Sequence, residues 1–478
     1  MDCAVNRALC NRFLMDWGVL TMKLSKMAFA IAIAWGIYVG NASAQNYGQP
    51  QVRQVSANDY FYQPETSPSD RPPPAPMVEP VPMNGAAAVA AEAPACEEEE
   101  EEETCDPWRL FCQKECGWNI YGFVNGGVTF NPDGPASRYN GPVTFNDRNE
   151  AMLNQLYIIG ENTIDRETCC WNWGGRIDVL YGSDYIFTQS NGWETDLVGA
   201  PKWNGSPFYG LAIPQLYAEV GNENNSIKIG HFYTVLGYEV VPANGNFFYS
   251  HAYTMQYGEP FTHWGVLGAY KWSDEVTLNY GLVNGWDALN RVQDDPAFIA
   301  GFTWTGCRDV LAFNMIYGNE PNITGLPYSE RYTHSLVYTY NISDCWQYIF
   351  QHDLGIQAAN VNGGAAEWYG INNYLFYTIN DCWKAGFRGE WFRDDDGARV
   401  TGLRPDAGHP LLGQAFAGNF YEVTAGLNWT PSANLTVRGE IRYDKFSGVS
   451  TTTPGLEPYG DGTRTDQTLL ALDFIYLW

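Results

Sequence analysis

Beyond Val39 the sequence has no apolar run long enough to cross a bilayer as a helix, which takes about 20 residues, so a bundle of membrane helices is excluded. Bases are scarce: 27 Lys and Arg stand against 54 Asp and Glu, a net charge of −27. Nucleic acid, itself a polyanion, is therefore not an expected partner. Histidine is scarcer still, and the six of them (His231, His251, His263, His334, His352, His409) show no H-E-x-x-H spacing. A G-x-S-x-G elbow and a phosphate-cradling P-loop are both missing. No catalytic residue, metal or cofactor is expected, although a Ser, His and acid from distant segments could still converge in a barrel-borne hydrolase.

What the chain does have is period-two alternation. Along residues 435–444, Leu435, Val437, Ile441 and Tyr443 alternate with Thr436, Arg438, Glu440, Arg442 and Asp444. Successive side chains of a strand point to opposite faces, so one face is oily and the other carries two cations and two anions. The same split separates Ile177, Val179 and Tyr181 from Arg176 and Asp178, and Trp383, Ala385, Phe387 and Trp391 from Lys384, Arg388 and Glu390. The chain ends on Leu470, Leu472, Phe474, Tyr476 and Trp478, with Asp473 on the opposite face. Aromatics make up 15% of residues, as expected of rings placed in girdles at two membrane interfaces. Together these features predict an all-β fold: a transmembrane antiparallel up-and-down β-barrel with a wet interior.

Short turns alternate with long connections from Gly117 onward. Short ones fall at 222–225, 272–274, 306–308, 342–344, 380–381 and 430–433; long ones at 131–150, 184–208, 239–260, 394–419 and 447–466. That asymmetry gives about 16 strands, an even number that places both ends of the barrel on the short-turn, periplasmic rim. Upward strands are expected to begin near 118, 171, 226, 275, 309, 345, 382 and 434, downward ones near 152, 210, 261, 298, 332, 366, 420 and 467. Arg388-Gly-Glu390 and Arg438-Gly-Glu440 stand 50 residues apart, one up-down pair.

The start of the chain reads differently. Lys23 and Lys26, the apolar run from Met27 to Val39 and Ala42-Ser43-Ala44 form a secretory signal, with Met22 the expected true start. Residues 1–44 are thus an overlong start plus signal. Residues 45–116 are rich in Pro and Ala, carry seven glutamates at 97–103 and end in Cys105, Cys112 and Cys116; they are expected to be a disordered periplasmic tether. Nine cysteines follow Ala44, and an oxidising compartment favours disulfides over a metal site for the cluster. The barrel itself spans 117–478, where 38 acids face 19 bases, so the acidity belongs to the barrel as well as to its tail.

Candidate pore-lining residues are the inward charges Arg176, Asp178, Lys228, Arg388, Glu390, Arg438, Glu440, Arg442 and Asp473, since rings of charge set selectivity in pores. A salt-bridged wall that only holds the cylinder round would use the same residues. The third long loop, 239–260, is a candidate constriction through Glu239, Asn244, Asn246, Tyr249, His251 and Tyr253. Exposed, its aromatics would leave a large apolar patch; folding into the barrel mouth would bury them. Asp394-Asp395-Asp396-Gly397 lacks the spaced ligands of a calcium loop and reads as a solvated turn.

The stretches GGRIDVLYGSD (174–184), PFTHWGVLGAYKWSDEVTLNYGLVNGWD (260–287), FRGEWFRDDDG (387–397) and LTVRGEIRYD (435–444) resemble the OmpL-like beta-barrel porins. The resemblance covers roughly 117–478. It implies an outer-membrane location and a porin role, and it supplies no substrate and no catalytic residues. The expectation is passive diffusion of small polar solutes or ions with a mild preference for cations. Outer-membrane lipid is then the surrounding partner, with a homo-oligomer by analogy. A plugged structural or adhesive barrel is the alternative.

Overall fold

The computed structural model describes residues 108–478 apart from 112, 115–116, 144–147, 167–168, 197–198, 207, 291–294, 322–327, 359–363 and 401–410. The signal, most of the tether and the Cys105, Cys112 and Cys116 cluster lie outside the described residues. Sixteen strands form a closed antiparallel barrel in which each pairs with its sequence neighbours and the last pairs with the first. They are β1 (Asn119–Phe130), β2 (Ala151–Asn162), β3 (Asn172–Gly182), β4 (Gly210–Gly221), β5 (Asn225–Tyr233) and β6 (Thr262–Lys271). Next come β7 (Val276–Val283), β8 (Ala297–Thr305), β9 (Asp309–Pro321), β10 (Tyr328–Asn341) and β11 (Trp346–Gln357). The cylinder finishes with β12 (Ala366–Asn380), β13 (Trp383–Asp394), β14 (Phe416–Ser432), β15 (Leu435–Ser450) and β16 (Asp466–Leu477). At the seam, Gly127 faces Asp473 in register, and Gly122 and Trp478 exchange two backbone hydrogen bonds of 3.0 Å.

The predicted alternation sets the two faces. Ile441, Leu472 and Ile229 are half exposed on the outer surface, whereas Arg442, Arg438 and Asp473 are at most 2% exposed inside. An Arg or Lys on the lipid side at mid-bilayer would cost about 2–4 kcal/mol, which keeps the period strict. Trp171 and Trp173 near one rim and Phe130 and Val449 near the other stand outward and exposed.

The short turns close themselves through their first polar side chain. Asn222 accepts from the N–H groups of Asn224 and Asn225, and Ser273 from those of Glu275 and Val276. Ser343 accepts from Cys345 and Trp346, and Asn380 from Cys382 and Trp383. Such side chains replace a missing ladder partner and fix the turn. Cys169, Cys345 and Cys382 are exposed on this rim.

Fourteen strands begin within one residue of the expected positions; β10 and β14 begin four residues earlier, at Tyr328 and Phe416. Both extend past the apolar alternation: Glu330 pairs with Asn319 and Gly418 with Asp394 and Gly448, so polar or small residues continue a ladder that hydropathy does not mark. The acidic turn also departs from expectation. Asp394 is fully buried and accepts backbone N–H bonds from Ala398, Arg399 and Val400, so it ties the turn down from inside; only Asp395 and Asp396 remain partly exposed.

A loop across the lumen as the candidate constriction

The third long loop, residues 234–261, leaves β5 and returns to β6 through a base closed by the Thr234 N–H on the Phe261 carbonyl (3.0 Å). It carries a single turn of 3-10 helix at Ala243–Gly245 and a short helix, α1 (Tyr253–Tyr257). Its aromatic residues Phe247, Phe248, Tyr249, Tyr253 and Tyr257 are all at most 7% exposed, because the loop runs inward and crosses the lumen. The sequence motive is simple: a run this aromatic needs cover, and the barrel interior supplies it.

Cover alone would leave the loop's backbone groups stranded, and the wall charges satisfy them. Arg438 donates to the carbonyls of Ala243 (3.0 Å), Asn246 (2.8 Å) and Phe248 (3.0 Å), while its other edge holds Asp473 (2.9 and 2.5 Å). Glu440 accepts from the N–H groups of Tyr249 (2.9 Å) and Ser250 (3.2 Å). Arg388 donates to the Ser250 carbonyl and hydroxyl, both at 2.8 Å, and is itself held by Glu422 (2.8 Å). Arg442 donates to the His251 carbonyl (2.6 Å) and pairs with Asp444 (2.8 Å). Glu390 accepts from the N–H groups of Tyr253 and Thr254, both at 2.6 Å. Arg388, Arg438 and Arg442 thus each take a loop carbonyl and a wall carboxylate together, the pairing that makes a buried charge tolerable.

Register explains why these residues converge. Glu390, Glu422 and Asp444 are directly paired across β13, β14 and β15, forming a rung of acids. One rung toward the short-turn rim, Arg388, Thr424 and Arg442 are paired in the same way. The 50-residue echo in the sequence does not share these rungs: its second copy, Arg438 and Glu440, pairs with Asn428 and Gly426, four residues nearer the short-turn rim.

Of the loop candidates, Glu239 is the hub. It accepts from Arg388 (2.7 Å), the Ala252 N–H (3.0 Å) and the Tyr374 hydroxyl (3.0 Å), and it meets His251 Nδ1 at 3.2 Å. Burial alone would raise its carboxyl; the Arg388 guanidinium, with His251 and the Ala252 N–H, overrides that and holds it at about 2. Asn246 bonds both backbone groups of Val240 and folds the loop on itself. Tyr249 donates to Asn154 (2.8 Å) on β2, and Tyr253 to Asp444 (3.1 Å). Asn244 sits half buried beside the exposed Gly245 at the turn's tip.

Three candidates stand apart from the loop. Arg176 is clamped between Asp178 (2.6 Å) and Glu161 (3.2 Å), a network within β1–β4 that Tyr157, Tyr121 and Gln215 complete. Lys228 lies with its ammonium 4.5 Å from the Tyr217 ring centre. Sequence reasoning missed the neutral anchors: Gln155, which bonds Val241 and Ala243; Asn428, which donates to the Phe247 carbonyl; and Trp368, which donates to the Gly258 carbonyl. All three occupy inward positions, and parity could have flagged them; charge could not. Among the described residues no group of three or more His, Cys, Asp or Glu is placed to hold a metal ion.

A family model matches residues 117–478, the whole of the barrel. The chain belongs to the family described as "Putative beta-barrel porin-2, OmpL-like". Members of this porin family are outer-membrane channels by fold and description, which is the frame for the lumen described above. Among solved structures, the outer membrane channel DcaP of Acinetobacter baumannii is similar at 15% identity and a TM-score of 0.48, covering 78% of this chain and all of that one. OprB of Pseudomonas putida is similar at 11% identity and a TM-score of 0.48, covering 76% of this chain and 94% of that one. An anion-selective porin from Comamonas acidovorans follows at 8% identity and 0.46, covering 76% of this chain and 100% of that one. No curated protein matches the sequence.

Proposed function

We propose that this barrel admits small polar solutes or ions by passive diffusion through the outer membrane, past the inward loop, with a mild preference for cations. The observation that carries the reading is the one-sidedness of the anchoring. The loop is pinned mainly to β12–β15 and β2, whereas the inward positions of β7 and β8 carry small or neutral side chains: Thr277, Asn279, Gly281, Gly301 and Thr303 are all partly exposed. A water-filled path along that wall leaves the loop in place. Cation preference follows from the excess of 38 acids over 19 bases in the barrel.

Single-channel current across a planar bilayer under a salt gradient tests this: steady conductance with a cation-biased reversal potential is expected, and an anion-biased potential would refute the preference. The density of loop anchors supports a second reading, a plugged barrel that presents its outer loops. A correctly folded but silent protein would favour it.

A further inference from the structure

We propose that the outer face of β10–β12 is a self-association surface, centred on His352, where a second copy of this chain docks. The proposal rests on the barrel standing in a bilayer and adds a partner to it.

The outward rows of the other strands are apolar at mid-height, as at Ile177, Leu216, Ile229, Phe298, Ile441 and Leu472. On β10, β11 and β12 the same height carries His334, His352 and Asn373. Their orientation follows from register and parity. The neighbours Ser335, Gln351 and Asn372 are buried inside at 1% exposure or less, so the three point outward. His334 faces Leu354 and His352 faces Leu336, which makes the two histidines diagonal neighbours, with ring centres 5.5 Å apart. Phe350 faces Asn373, so the amide continues the same diagonal. Two tyrosines flank the track: Tyr332 lies 3.1 Å from His334 Nδ1, and Tyr348 donates to the Asn373 carbonyl at 2.7 Å.

The track is not at a rim. His334 lies seven residues from the periplasmic end of β10, His352 six from that of β11 and Asn373 seven from that of β12. At roughly 3.3 Å per residue along strands tilted about 40°, that is about 16 Å up, inside an apolar band about 25 Å tall. Polar groups at this depth are expensive unless protein covers them. Among the described residues, no other residue hydrogen-bonds the His352 ring or the Asn373 amide nitrogen; the imidazole meets only its own backbone, which leaves one ring nitrogen open. Acyl chains offer none.

A second copy does. A neutral imidazole has one donor and one acceptor, and a carboxamide has both, so the track is complementary to itself. Two barrels inserted the same way up are related by an axis along the membrane normal, and a two-fold there apposes the same patch on both subunits. Because the track runs diagonally, it meets its own image at its middle residue, His352.

The test is a photo-crosslinking amino acid at position 352 in the full chain, expressed in outer membranes, with Ile441 as an outward control. The expected result is an adduct of twice the chain mass from 352, several-fold stronger than from 441. Equal yields, adducts with lipid alone or adducts with a different protein would overturn the proposal. In parallel, His334→Leu, His352→Leu and Asn373→Leu combined should convert the native assembly to monomers in mild detergent, while the barrel keeps its heat-modifiable mobility. Self-association that survives the triple change would also overturn it. A chain that shows no heat-modifiable barrel in the membrane would instead refute the membrane reading beneath it.

Discussion

Two halves of the barrel wall use their inward positions differently. From β11 round to β16 they carry ionic rungs: Arg388, Glu390, Arg438, Glu440, Arg442 and Asp444 are buried and bond the inward loop, and Glu422 and Asp473 hold those arginines from the wall. From β5 to β8 the strands are only 8–10 residues long, against 16 and 17 for β15 and β14, and their inward positions are mostly glycine, alanine, threonine and apolar side chains. A wall that must hold something needs directional, paired groups; a wall that must let something pass needs space. The contrast teaches that charge inside a barrel is not by itself a mark of a permeation path, because here most of the buried charge fastens the inward loop.

Removing the loop is the severest way to break the contrast. Deleting 243–256 should raise single-channel conductance several-fold while the barrel stays folded, as gel mobility before and after heating would show; unchanged conductance would mean the loop is no constriction. Arg388→Ala comes next. It strands Glu239 and Glu422 together, and breaking a buried pair costs about 3–5 kcal/mol, so a marked fall in the denaturant midpoint is expected. Thr277→Arg tests the opposite wall. Stability should change by no more than about 0.5 kcal/mol, as for a change away from packed features, yet the reversal potential should move toward anions. The smallest effect concerns pH. Glu239 has its carboxyl depressed to about 2, so its contribution to docking is complete above the ordinary glutamate range and is lost only as pH falls toward 2. Conductance should therefore hold steady from pH 7 to 5 in wild type, and a rise across that interval would contradict the Glu239 assignment.

The cylinder was legible in the sequence because its determinants are local. Period two, Asn and Ser at the turns and unequal connection lengths are all read within a few residues, which is why most strand starts fell where expected. The extended tops of β10 and β14 were not legible, since glycine and charged residues continue a ladder past the apolar alternation without a hydropathy mark. Inward charges were identifiable by parity. Their partners were not, because Arg438 reaching Ala243 or Glu390 reaching Thr254 depends on where a loop nearly 200 or 140 residues away comes to rest. Gln155, Asn428 and Trp368 escaped notice for a related reason: a neutral anchor differs from any other inward polar residue only by what happens to lie opposite.

The self-closing turns have a consequence for assembly. Each up-down pair sets its own register from its turn, so nearly all of the ladder can form between sequence neighbours, a topology dominated by local pairings. The exception is the meeting of β1 with β16, which joins residues more than 300 apart. The loop's anchors lie on both sides of that seam, Asn154 and Gln155 on β2 and Arg438 and Glu440 on β15. Full seating of the loop therefore requires the cylinder to be sealed, because its anchors on β2 and β15 come into place together only when β1 meets β16.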